Sequence, residues 1–201
     1  ACASPPRTSE LNMGPPFKID EWTHLDGRNA EWTPLGEDSF EVKPGTGNII
    51  TKMSFRDGRV ELDFMTPLMP DARGQARGNS GVYIHGLYEV QILDSFGDEP
   101  GIDTCGAIYN VAPASAKVCL EPGVWQHYAI DFTAPRFDDE GKVTSSPFIS
   151  VWHNGTQIHD KVELTGPTGS ANGSEMKDMG SIMLQDHGNK VRFRNVRFSG
   201  F

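Results

Sequence analysis

Glu89, Gln91 and Asp94 lie close together in the run GVYIHGLYEVQILD (81–94), just after Tyr83 and His85. Two carboxyl groups over one surface are what cleavage of a glycosidic bond needs. One protonates the leaving oxygen and the other acts as base or nucleophile. In extended chain, Val82, Ile84, Val90 and Ile92 fall on one face, and Tyr83, His85, Glu89 and Gln91 on the other. Asp94 is out of phase with Glu89 and joins that face only if a bulge follows Gln91. A solvated strand surface would show the same alternation. However, this one lacks the Lys and Thr that usually decorate exposed strands.

A second constellation occupies LQDHGNKVRFRN (184–195). Asp186-His187-Gly188-Asn189 reads as a turn that the Asp186 side chain either caps or leaves for chemistry. His187 suits a general base or a metal ligand, because imidazole titrates near neutrality. Arg192 and Arg194 share a face, where they either bind oxygens or pair with carboxylates. The catalytic candidates are thus Glu89, His187, Asp94 and Asp186, and the substrate-binding candidates are Tyr83, His85, Gln91, Gln185, Arg192 and Asn79. Trp22, Trp32, Trp125 and Trp152 could stack on sugars, but such residues more often pack in cores. His24, His127, His153 and His159 show no metal-ligand spacing. There is no phosphate-binding glycine loop and no Gly-x-Ser-x-Gly elbow.

The elements that must position these residues are short strands. RVELDFM (59–65) alternates Val60, Leu62 and Phe64 against Glu61 and Asp63, as a half-buried strand does. SFEV (39–42) and NIIT (48–51) flank a tight KPGTG connection. Gly86-Leu87 reads as a two-residue hairpin turn, and Asn154-Gly155 as a stronger one between FISVWH (148–153) and TQIHDKVEL (156–164). Asn154 and Asn172 also open glycosylation-type triplets, both within turns. Further strands fall at 124–132, 181–186 and 191–198. In the last, a phase switch from Val191 and Phe193 to Val196 and Phe198 predicts a bulge near Arg194-Asn195. TPLMPDARGQARG (66–78) reads as a loop. With no sustained helical period and no repeat, the pattern predicts an all-β, two-sheet antiparallel sandwich of jelly-roll type, with a closed barrel as the alternative.

Composition agrees. The 201 residues suit one domain, placed at 17–201 behind a leader or linker at 1–16, and the 22 Gly and 14 Pro supply its turns. A formal charge of −9 argues against nucleic acid as a partner. No apolar run is long enough for a membrane-spanning segment. The expected partner is a small or neutral polar molecule rather than an anionic polymer.

Five segments carry a resemblance: NSGVYIHGLYEVQILDSFG (79–97), CGAIY (105–109), VWQHYAIDFTAPRFDDEGK (124–142), VWHNGTQIHDKVELTGPTG (151–169) and GSIMLQDHGNKVRFRNVRF (180–198). Together with WTHLDGRNAEW (22–32), they resemble the 3-keto-disaccharide hydrolase domain family from about Trp22 to Phe201. The resemblance implies a concanavalin-A-like lectin/glucanase fold, a secreted or periplasmic location and action on glycosides oxidised at C3. It also sets Glu89-x-Gln91-x-x-Asp94 against the Glu-x-Asp-x-x-Glu strand of laminarinase-type glycosidases, so an amide stands where a conventional enzyme has its middle acid. A C3 ketone acidifies the C2 proton, so a base can start an elimination that expels the C1 substituent. Glu89 or His187 would be the base and Asp94 or Asp186 the acid. Arg192, Gln91 or a divalent cation such as calcium would hold the enolate oxygen. No cofactor is otherwise required.

An extracytoplasmic family favours a Cys105–Cys119 disulfide over two reduced thiols. Closing that loop would add about 3 kcal/mol. Cys2, in a small-residue and Pro-rich opening, would fit either a lipid anchor or a free thiol in a tail. A non-catalytic, lectin-like carbohydrate-binding module and a conventional glycoside hydrolase are the rival readings.

Overall fold

A computed structural model describes residues 11–201, so the anchor expectation at Cys2 lies outside the described residues. The first strands are β1 (Trp22–His24), β2 (Thr33–Pro34), β3 (Ser39–Glu41), β4 (Ile49–Thr51) and β5 (Gly58–Met65). Next come β6 (Ser80–Ile84), β7 (Tyr88–Ile92), β8 (Gln126–Thr133), β9 (Arg136–Phe137) and β10 (Val143–Ser145). The last four are β11 (Phe148–His153), β12 (Thr156–Glu163), β13 (Met183–Leu184) and β14 (Arg192–Gly200). They form a five-stranded sheet in the order β1-β4-β13-β6-β7, a seven-stranded sheet in the order β12-β11-β8-β5-β14-β3-β2, and a small β9–β10 ribbon. All strand pairs are antiparallel.

The two-residue period builds the core. Val60, Leu62 and Phe64 of β5, Tyr128, Ile130 and Phe132 of β8, and Phe193 of β14 are fully buried. So are Val82, Ile84, Tyr88, Val90 and Ile92 of the hairpin, and ring contacts such as Tyr88–Phe132 at 5.4 Å join the two sheets. Burying each such side chain contributes roughly 1.5–3 kcal/mol. Trp22 and Trp32 belong to this core. Trp125 and Trp152 lie under the guanidinium groups of Arg194 and Arg59.

KPGTG does not close a hairpin: β3 and β4 belong to different sheets, so this connection crosses the sandwich. Asn154 and Gly155 both take left-handed backbone (φ 50° and 81°), as a primed turn between β11 and β12 requires. The register of β14 against β5 shifts between Arg194 and Arg197, with Asn195 at φ 53°, which is the predicted bulge. Of the expected leader, residues 11–16 are described, and Gly14 N–H donates to the Phe198 carbonyl at 3.0 Å. Cys105 and Cys119 are free thiols, against the expected bridge. Cys105 is buried, and its sulfur lies 3.4 Å from the Tyr128 hydroxyl.

Candidate functional site

β13, β6 and β7 are neighbours, and their register sets two rows across the outer face of the five-stranded sheet. Met183, Tyr83 and Glu89 make one row. In the next, Gly81 pairs with Gln91 on one side and accepts the Gln185 backbone N–H at 3.1 Å on the other. With no side chain at its centre, this second row leaves a notch between the two amides. A methyl group at Gly81 would collide with the Glu89 carboxylate and crowd the Tyr83 ring. Glycine here gives the carboxyl its place.

Gln75, Asn79, Glu89, Gln91, Tyr109, Ser170, Gln185 and His187 line the notch, whose free volume is about 30 Å³. That space takes a hydroxyl group or a water and not a whole sugar ring. A larger depression of about 480 Å³ lies on the seven-stranded sheet, lined in part by Glu61, Asp63 and His127. Of the two acids that line it, Glu61 lies 3.9 Å from the Arg59 guanidinium, and Asp63 is committed to His127, Arg194 and Asn195. Burial alone would raise the Asp63 pKa, yet these bonds hold it at about 2. Asp63, so paired, cannot shuttle protons at neutral pH, and Glu61 stands beside a cation, so the notch is the better chemical candidate.

Glu89 is the titratable centre. It is buried, and loss of hydration pushes its pKa up to about 7, with the Tyr83 hydroxyl acting in the other direction. Tyr83 is itself buried, which raises its pKa, so it stays a neutral phenol. The Glu89 backbone N–H is capped at 3.0 Å by the Thr168 hydroxyl, which joins the loop after β12 to the hairpin. The outer edge of β7 is covered by 106–109. Gln91 N–H donates to the Ala107 carbonyl, and Tyr109 N–H donates to the Glu89 carbonyl. That pairing carries Tyr109 to the notch.

The expected residues therefore separate. Glu89, His187, Gln91, Gln185 and Asn79 converge, with Tyr83 bonded to Gln185 at 3.0 Å. Asp94 does not join them. The β6–β7 register runs without the required bulge, and Arg77 takes the Asp94 carboxylate at 3.3 Å. Asp186 serves its turn: its two oxygens accept backbone N–H groups from Gly47 and Gly188. His85 is not on the strand face but in the turn. His85 and Gly86 both have positive φ (57° and 68°), giving a primed turn that replaces the expected Gly86-Leu87 pair. Its ring packs between Phe55 and Phe132 and bonds to the Arg56 carbonyl. Arg192 lies in the other sheet and pairs with Glu41 at 2.7 Å. Gln91 cannot hold an enolate oxygen, since its amide N–H₂ is already given to Gln75 and the Asp103 carbonyl.

Gln75, Tyr109 and Ser170 were not anticipated. Tyr109 sits in CGAIY, a segment of the family resemblance, while Gln75 and Ser170 lie in loops with no distinguishing pattern. Among the described residues no three His, Cys, Asp or Glu side chains converge as a metal set. The hard oxygens at the notch, from Glu89, Asn79, Gln91 and Gln185, are the donor type that calcium prefers.

The chain is similar to a candidate glycosyl hydrolase from Parabacteroides distasonis, with 28% identity over 94% of this chain and 84% of the other, at a TM-score of 0.83. A second candidate glycosyl hydrolase from the same organism shares 23% identity over 94% and 100% of the two chains, at 0.63. The carbohydrate-binding module CBM66 from Bacillus subtilis shares the fold at 13% identity over 92% and 100%, at 0.52. No curated protein sequence is significantly similar. A family model matches residues 16–199, nearly the whole of the described sandwich, and the chain belongs to the 3-keto-alpha-glucoside-1,2-lyase-like domain family.

Proposed function

We propose that this domain is a carbohydrate-active enzyme that cleaves the glycosidic bond of 3-keto-glycosides by 1,2-elimination, with Glu89 as base. The observation that carries the reading is a buried carboxyl, pushed up to about pKa 7, in a polar notch that no second acid among the described residues lines. Double displacement needs two carboxyl groups flanking one bond. Elimination next to a ketone needs one base and one proton donor. At neutral pH Glu89 is about half ionised, so it can take the C2 proton and still be regenerated. The C2–H electrons form the enolate, C1=C2 closes, and the C1–O bond breaks. His187 or Tyr109, both on the rim, protonates the departing oxygen, and the other donates to the enolate oxygen. Water adding across C1=C2 then completes a net hydrolysis.

The test is product analysis by NMR with methyl 3-keto-glucoside and unoxidised methyl glucoside. The reading expects methanol and an unsaturated 2-hydroxy-3-ketone, or its hydrate, from the first sugar alone. Binding of both sugars without turnover would replace it with a binding module. Cleavage of the unoxidised sugar would replace it with a conventional glycosidase.

A further inference from the structure

The notch is built mainly from carboxamides, and a carboxamide can present either an oxygen or an N–H₂ group. Here backbone carbonyls, which only accept, decide the orientation. Asn79 Nδ2 lies 2.8 Å from the Gln75 carbonyl, so that end of Asn79 must be the donor. Gln91 Nε2 lies 3.2 Å from the Asp103 carbonyl, and Gln75 Nε2 lies 2.9 Å from the same oxygen. With its nitrogen so assigned, Gln75 turns Oε1 inward. That oxygen accepts from Asn79 Nδ2 at 3.0 Å and from Gln91 Nε2 at 3.1 Å. One side chain thus consumes donors from both neighbouring amides. What is left over is a set of acceptors: Asn79 Oδ1, Gln91 Oε1 and Gln185 Oε1 are buried and have no hydrogen-bond partner among the described residues. A buried unpaired carbonyl is unfavourable, and a bound donor would relieve that cost.

We propose that Gln75 is a positioning residue which turns the Asn79 and Gln91 amides of the notch into acceptors, selecting the hydroxyl-bearing edge of a neutral sugar and rejecting uronates. The inference rests on the sugar-binding part of the reading above and not on the elimination. Among the described residues no Lys or Arg lines the notch, and Glu89 already places a titratable carboxyl there. A sugar carboxylate would meet amide oxygens and Glu89 with no cation to balance it. The hydroxyls of a neutral ring supply the missing donors, and 30 Å³ admits them one edge at a time. Gln75 sits in the 3₁₀ turn Gly74–Ala76 and is only half-buried. Its role is therefore separable from the core.

The probes are 1,5-anhydro-3-ketoglucitol, which has no C1 leaving group and so binds without turnover, and its C6-carboxylate counterpart. Calorimetry on the full chain should show the neutral probe binding more than tenfold tighter than the carboxylate. Gln75→Met keeps the volume but removes the shared Oε1 acceptor, so Asn79 Nδ2 and Gln91 Nε2 are each held only by a backbone carbonyl and both amides loosen. It should weaken the neutral probe at least tenfold and shrink the discrimination, with thermal unfolding unchanged. With methyl 3-keto-glucoside, Gln75→Met should raise KM more than it lowers kcat. Equal binding of the two probes, or unchanged binding in Gln75→Met, overturns the proposal. So does calcium binding to wild type that abolishes, rather than leaves unchanged, binding of the neutral probe. Should the elimination fail while these binding differences hold, the inference stands and only the reaction assignment falls.

Discussion

Replacing Glu89 by Gln removes a group that ordinarily titrates at 4.5 and in the fold titrates at about 7. Burial is the main cause, so the folded protein prefers the neutral carboxyl and its ionisation works against folding. The sign follows from proton counting. Between pH 4.5 and 7 the native state holds a proton that the unfolded chain has released, so stability from this group is complete below 4.5 and is lost as pH rises through 7. At about 1.4 kcal/mol per pH unit, the interval corresponds to about 3 kcal/mol. Gln is nearly isosteric and never ionises, so Glu89→Gln should match wild type near pH 4.5 and exceed its stability by up to about 3 kcal/mol at pH 8. Urea unfolding of both proteins at pH 4.5, 6 and 8 reads the difference directly. Other groups, such as the low-pKa Asp63, cancel because they are common to both. A difference that is flat with pH, or a variant less stable at pH 8 than at pH 4.5 relative to wild type, would refute the buried, proton-holding Glu89.

Gly81→Ala should lower kcat at least tenfold by displacing the Glu89 carboxylate, since the added methyl occupies its space; a crystal structure and kinetics of the variant check this. Tyr83→Phe removes the hydroxyl that favours the Glu89 anion, so the rising limb of kcat/KM, expected near pH 7, should move to higher pH. Asp94→Asn should leave kcat within a few-fold while costing about 1–2 kcal/mol of stability, because Asp94 holds Arg77 rather than substrate. His187→Ala should cut kcat by about a hundredfold with unfolding unaffected, as expected of an exposed proton donor at the notch.

The architecture was legible wherever period and turn chemistry act locally. Val60, Leu62 and Phe64 announced a strand with one face in the core, though Arg59 and Glu61 on its other face are buried as well, against the half-buried expectation. Asn154-Gly155 announced a primed turn, and the phase switch around Arg194-Asn195 a bulge. The hairpin showed Glu89 and Gln91 for the same reason, since alternation alone decides which face they take. Legibility ended where one local choice had a close competitor. His85 left the strand face because the chain turned through His85-Gly86 rather than Gly86-Leu87, a shift of one residue. Arg192 left the site because β14 joined the other sheet, which no local pattern encodes. Asp94 was captured by Arg77, and Asp186 by the Gly47 and Gly188 amides, partners known only once the loops are placed. Gln75, Tyr109 and Ser170 reach the notch through backbone bonds and a 3₁₀ turn, so their spacing to Glu89 carries no period at all.

The most direct test of the central claim is the fate of the C2 proton of a 3-keto-glucoside turned over in D₂O and followed by NMR. The account predicts that the original C2 proton is lost in step with release of the C1 alcohol, and that Glu89→Gln suppresses both by at least a hundredfold. Release of the alcohol with the C2 proton retained, or wild-type exchange in Glu89→Gln, would contradict it.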